Sequence, residues 1–86
     1  MFAESFSQMN MYLINIIEKT IMVTFNQVVG KGDIAIYDPK RNGKPLAMKE
    51  FANTNFESIT LKNEKGNYRI EINIDGKQIL KTININ

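Results

Sequence analysis

Cysteine, histidine and tryptophan are all missing from this chain of 86 residues. Without thiols no disulfide framework can prop up a small core, and neither an oxidising nor a reducing compartment is excluded. Without imidazole the side chain most used for proton transfer near neutral pH is gone. The two absences together remove ordinary structural zinc sites and the common nucleophile–base–acid triads. Long apolar runs are missing too. No stretch reaches the ~18 apolar residues of a transmembrane helix, so no membrane span is predicted. Glu4, Ser5, Ser7, Gln8 and Asn10 interrupt the beginning where a signal peptide would be continuously apolar. A secreted form would have lost its signal before this numbering starts. Charge of one sign is scarce: the net charge is +2, and Lys40, Arg41 and Lys44 form the only local basic cluster. They sit on a turn rich in Asn, Gly and Pro with no interleaved aromatics, which reads as a solvated loop and not as a nucleic-acid surface.

What is present is β-structure. A hydrophobic fraction of 43% is ordinary for a globular domain, and a chain of this length makes one domain with little stability to spare. From Tyr68 onward, Tyr68, Ile70, Ile72 and Ile74 alternate with Arg69, Glu71 and Asn73. Asp75-Gly76 then breaks the run before a second segment, Ile79 to Ile85. Period-2 alternation around Asp-Gly predicts a hairpin with a two-residue type I′ turn. Upstream, Ile21, Val23 and Phe25 alternate with Met22, Thr24 and Asn26. Val29-Gly30-Lys31-Gly32 reads as a glycine-rich turn, and Asp33 to Tyr37 as the next strand, ended by Asp38-Pro39. Asn42-Gly43 is a turn signal ahead of a short edge strand from Lys44 to Lys49. Glu50 to Asn55 lacks periodicity and reads as a crossing between two sheets. Glu57 to Leu61 points Ile59 and Leu61 inward, and Asn63 to Asn67 makes the turn before the hairpin.

Residues before 20 carry two patterns. Tyr12, Ile14 and Ile16 form one face of a strand, whereas Phe6, Met9, Leu13, Ile16 and Ile17 form a helical stripe. The β-rich composition of Tyr12 to Ile17 favours the strand, with residues 1–9 a flexible arm and 10–86 a single domain. The whole then reads as an all-β, antiparallel sandwich of about seven short strands, immunoglobulin- or fibronectin-like, with Ile21, Val23, Phe25, Ile34, Ile36, Ile59, Leu61, Tyr68, Ile70, Ile72 and Ile74 in its core. Ile79, Ile83 and Ile85 share a face with Lys81 between them, as an edge position allows. The segment Met9 to Ile17 is apolar and nearly uncharged, which makes it the strand most apt to pair across a homodimer.

Candidate site residues each have a plain structural reading. Tyr12, Tyr37 and Tyr68 are the only tyrosines and would mark a ligand surface if they converged; Tyr68 is better placed as a core-edge aromatic. Met22 and Leu80 fall on faces opposite their strands' apolar sets, as partner-covering or merely exposed groups. Asp33 and Asp38 supply only the two ends of a calcium loop. Gly30-Lys31-Gly32 lacks the longer pattern of a phosphate loop. Glu71 and Asp75 point away from the apolar face as solvated carboxylates. The expectation is no catalytic, cofactor-binding or metal-binding residue, and no enzyme.

Gly32-Asp33-Ile34-Ala35-Ile36-Tyr37-Asp38, the return segment Gly43-Lys44-Pro45-Leu46, Ile59-Thr60-Leu61, Gly66-Asn67-Tyr68-Arg69-Ile70-Glu71-Ile72, Asp75-Gly76-Lys77 and Ile83-Asn84-Ile85 carry a resemblance. Together they resemble small secreted β-sandwich modules of Bacteroidetes, the DUF3244 family of immunoglobulin-like domains, over about residues 20–86. They are also similar to the type A C-terminal sorting domains of the type IX secretion system. The turn Asn63-Glu64-Lys65-Gly66-Asn67 departs from both, having no apolar residue just before its glycine. The first resemblance implies a free-standing exported module, periplasmic or extracellular, with a protein or cell-surface partner. The second implies a sorting or accessory domain of a larger secreted protein. Neither carries a catalytic residue or cofactor onto this chain.

Overall fold

The computed structural model describes residues 12–40, 43–62 and 65–86. Within them the chain is all-β: β1 (Tyr12–Ile17), β2 (Thr20–Tyr37), β3 (Ala47–Thr60), β4 (Gly66–Ile74) and β5 (Lys77–Ile85), with every pairing antiparallel. Tyr12–Ile17 is a strand, and the helical alternative fails there. The expected arm at 1–9 lies outside the described residues, as do Arg41 and Asn42 of the basic turn and the start of the Asn63–Asn67 turn.

β2 is the spine of the molecule. β3 pairs along one side of it, from Thr20↔Thr60 to Ile36↔Ala47. The other side is shared end to end: β1 pairs residues 20–25, and β4 pairs residues 32–37. β5 continues the sheet beyond β4. A straight strand of 18 residues would run about 60 Å at ~3.3 Å per residue, yet the longest extent of the molecule is 41 Å. β2 must therefore bend. The bend falls where its register with β3 breaks, between Thr24↔Phe56 and Val29↔Thr54, so that Phe25–Val28 stand against Asn55 alone. Such bulges bend a strand and raise its twist. On β3, Asn53 takes φ 54°, and Thr54 clasps the chain by accepting from the Phe56 amide (3.2 Å) and donating to the Phe56 carbonyl (3.0 Å).

Bending folds one half of the sheet over the other as a half-barrel and brings its alternating residues together. All eleven core residues expected from the alternation, from Ile21 to Ile74, are buried. Val29, Phe51, Ile83 and Ile85 join them. The Phe25 and Phe51 rings lie 5.7 Å apart across the fold. Each of the fully buried isoleucines contributes roughly 1.5–3 kcal/mol relative to an exposed one. No buried side-chain nitrogen or oxygen among the described residues lacks a hydrogen-bond partner.

Two local expectations are corrected. Val29-Gly30-Lys31-Gly32 is not a turn: it lies inside β2, paired to β3. Gly32 is there because a Cβ at that point would come within 2.7 Å of the Asn73 carbonyl oxygen and of Phe51 Cζ. Glu50 to Asn55 does not cross between sheets but continues β3. These two stretches join four expected strands into two long ones, so the described strands number five, in one hydrogen-bonded sheet. The hairpin is as expected. Ile74 pairs with Lys77, Asp75 and Gly76 take φ 47° and 80°, and positive φ at both central positions is the signature of a type I′ turn. β5 keeps its register throughout, with Lys81 exposed on the edge.

Candidate functional site: an uncharged outer face, an uncharged edge strand and a groove beside the hairpin turn

The outer surface of the sheet divides by charge at the bend. On the β1 side, side chains pointing away from the core form three cross-strand rows: Leu13–Thr24–Phe56, Asn15–Met22–Ser58 and Ile17–Thr20–Thr60. None carries a charge. Leu13, Ile17 and Phe56 are 59%, 63% and 46% exposed, and the Thr20 and Thr60 hydroxyls bond each other at 2.9 Å. On the β4 side the same surface carries Lys31, Asp33, Glu50, Arg69 and Glu71. There the Arg69 guanidinium lies 4.8 Å above the Tyr37 ring and pairs with Glu71 (3.1 Å).

The edges differ as well. β5 presents Lys77 and Lys81. β3 presents Lys49, whose ammonium reaches across the bend to Glu57 Oε1 (2.7 Å) and to the Ser58 carbonyl (3.1 Å). The hydrogen bond from Lys49 holds the Glu57 carboxyl below its ordinary range, joined by the Ser58 amide and the lysine charge, against a smaller opposing effect of burial. β1, by contrast, is Tyr-Leu-Ile-Asn-Ile-Ile, with no charge at all. Its inward residues Tyr12, Ile14 and Ile16 are only half-buried, because the half-barrel stops there.

Where the β4–β5 turn approaches the spine, a groove of about 770 Å³ opens between Gly30–Asp33, Glu50–Ala52 and Asn73–Gln78. Its apolar floor is Phe51 and Ile74. A Cβ on Gly30 would meet no atom within 4 Å, so the missing side chain leaves that wall open. Asp33 and Glu50 are direct cross-strand neighbours, an unfavourable juxtaposition of like charges. The Asn73 amide donates to Asp33 Oδ1 at 2.8 Å and softens it. Lys31 and Lys77 on the rim balance most of the charge of Asp33, Glu50 and Asp75, leaving little net field to draw in a strongly charged ligand.

The sequence candidates do not converge. Tyr12 and Tyr68 point into the core side of the sheet while Tyr37 points out, so the tyrosines share no surface. Asp33 lies within β2 and Asp38 just past its end; about 16 Å of extended chain separates them, too far to share a cation. Among the described residues no three His, Cys, Asp or Glu side chains are placed to hold a metal. Lys40 and Lys44 are exposed, and the Lys40 amide donates to Asp38 Oδ1 (2.9 Å) in a local turn. Of the two off-face apolar residues, Leu80 is 54% exposed and Met22 sits at the centre of the uncharged rows. Sequence reasoning singled out Met22 but missed Leu13 and Phe56 as its neighbours, because that grouping depends on register. The groove was missed because its glycines read as a turn. No helix among the described residues is long and apolar enough to cross a membrane. No family model matches this chain, and no curated protein matches it.

Proposed function

We propose that this chain is a non-catalytic exported module, periplasmic or extracellular, that works by presenting a contact surface to a protein or cell-surface partner. The observation that carries the reading is the uncharged outer face centred on Met22, set beside a charged remainder of the same sheet. Aromatic and aliphatic side chains mixed with neutral hydroxyls and amides, and free of Lys, Asp and Glu, are what the centre of a protein interface tends to contain. Strand spacing and rise give the face roughly 14 by 17 Å, or about 240 Å². A stable complex buries about 800 Å² on each partner. The face therefore makes transient contacts or acts together with the groove or the adjoining edge. Membership of the immunoglobulin-like, DUF3244-like modules belongs to the same reading. Its support is the motif run ending in the Gly66–Ile85 hairpin, together with the seven segments obtained when β2 and β3 are each counted as two at the bend.

A photo-reactive residue placed at position 56 tests the surface in the native cell, with position 40 as an exposed control outside the face. The reading expects a recurrent adduct of defined mass from 56 alone. The same adducts from both positions remove the face as a contact, and retention of the native protein in the cytoplasm removes export.

A further inference from the structure

We infer that β1 is the pairing edge of a two-fold homodimer, in which β1 of one copy adds antiparallel to β1 of a second and continues the sheet across both. An edge strand offers a row of unpaired N–H and C=O groups to any extended chain; the question is which chain fits. β1 has no charge, so a strand carrying Lys or Glu finds no counter-ion on it. A second copy, itself positively charged overall, has Lys77 and Lys81 on its β5 edge and the Lys49–Glu57 pair on its β3 edge. Its β1 is the edge that approaches without burying or opposing a charge.

Register selects the arrangement. Directly opposed residues of an antiparallel pair point to the same face, so only registers that match inward with inward are admissible. With Asn15 on the two-fold axis, Leu13 stands opposite Ile17 of the second copy, and Ile14 opposite Ile16 of the second copy. The first match covers the two exposed apolar side chains of β1; the second completes the cover of residues that the half-barrel leaves half-buried. The Asn15 side chains meet across the axis, where amides hydrogen-bond as a ladder. The pairing is isologous and closes at two copies. It also places two uncharged faces side by side in one plane, doubling a surface too small to hold a partner by itself. The pairing stands whether or not that face binds anything else.

Because the chain has no cysteine, a single introduced thiol reports the axis without ambiguity. Opposed Cα atoms in such a pair lie about 4.5–5.5 Å apart, within disulfide reach. Under mild oxidation the full chain carrying Asn15→Cys should convert to a covalent dimer, while Gln78→Cys should not. Leu13→Lys alone and Ile17→Glu alone should each weaken association in sedimentation by roughly tenfold, one decade per ~1.4 kcal/mol, while thermal unfolding of the dilute, dissociated chain stays unchanged because both positions are exposed in the monomer. The double variant places each lysine opposite a glutamate of the second copy and should regain dimerisation. The unmodified chain remaining monomeric at about 200 µM overturns the inference, as do equal cross-linking rates at positions 15 and 78. A double variant that associates no better than the singles overturns the register.

Discussion

Gly76 and Gly32 are glycine for two different reasons, and substitutions separate them. Gly76 is in open space, with no atom within 4 Å of a would-be Cβ, but its φ is +80°. A β-branched residue there meets its own backbone, so Gly76→Val should destabilise the domain by about 1–2 kcal/mol or more. Gln78→Thr, on an exposed position of β5, should be nearly neutral. Urea midpoints compare them; equal midpoints would remove the type I′ turn. Gly32 has ordinary backbone angles and no space. Its Cβ would press on Phe51, Ile74 Cγ2 at 2.8 Å and the Asn73 backbone, and overpacking of this kind costs about 1–3 kcal/mol. Gly30, two residues away with nothing near it, should accept alanine without loss and with some gain from a stiffer unfolded chain. Thermal unfolding of Gly32→Ala and Gly30→Ala should therefore move in opposite directions or differ clearly in size. Identical shifts would mean that Gly32 is not tightly packed.

Among the elements, β3 holds an ion pair across its bend, Lys49 with Glu57. The Glu57 carboxyl titrates lower in the folded chain than its reference of 4.5. A group with a depressed folded value stabilises the fold above its unfolded value, and that contribution disappears as pH falls through the folded one. The Lys49 side chain is 47% exposed, so screening keeps the effect to about 1 kcal/mol or less. Glu57→Gln should be slightly less stable than the parent at pH 7, and the gap should close as pH falls below the folded value of the Glu57 carboxyl. A gap that persists in acid would assign the loss to packing. The bend itself explains what could be seen in the sequence. Alternation placed the eleven core residues and the terminal hairpin correctly, because each is decided within a few neighbours. Strand continuity is not local. Gly30 and Gly32 resemble turn residues, and only the approach of Phe51 and Asn73, far along the chain, turns Gly32 into a strand residue. Phe51 and Val29 were missed for the same reason: they lie in the stretches where periodicity resets as β2 and β3 change direction. The grouping of Leu13, Met22 and Phe56 was likewise hidden, since it rests on two registers that no single segment encodes.

For the whole molecule, the shared spine has a consequence for stability. β2 contributes Ile21, Val23 and Phe25 to one half of the half-barrel and Ile34 and Ile36 to the other, and β3 runs beside it through both. Neither half can lose its order while the other keeps a complete core, so the described domain should unfold as one cooperative unit. Ile72 tests this from a distance. It is fully buried and pairs with Ile34 on one side and Ile79 on the other, whereas β1 and residues 20–25 lie beyond the bend. Ile72→Ala should cost about 2–5 kcal/mol through lost transfer energy and the cavity left behind. If the domain is one unit, amide hydrogen exchange in residues 20–25 should accelerate by the same factor as in β4, roughly thirtyfold or more for a loss of about 2 kcal/mol. Acceleration confined to β4 and β5 would instead make the Gly66–Ile85 hairpin a separate unit docked on an independently stable β1–β2–β3 layer. The two outcomes differ in what the edge strand can do. In a single cooperative unit β1 is held in its extended form by the whole core, ready to pair without paying an ordering cost of its own.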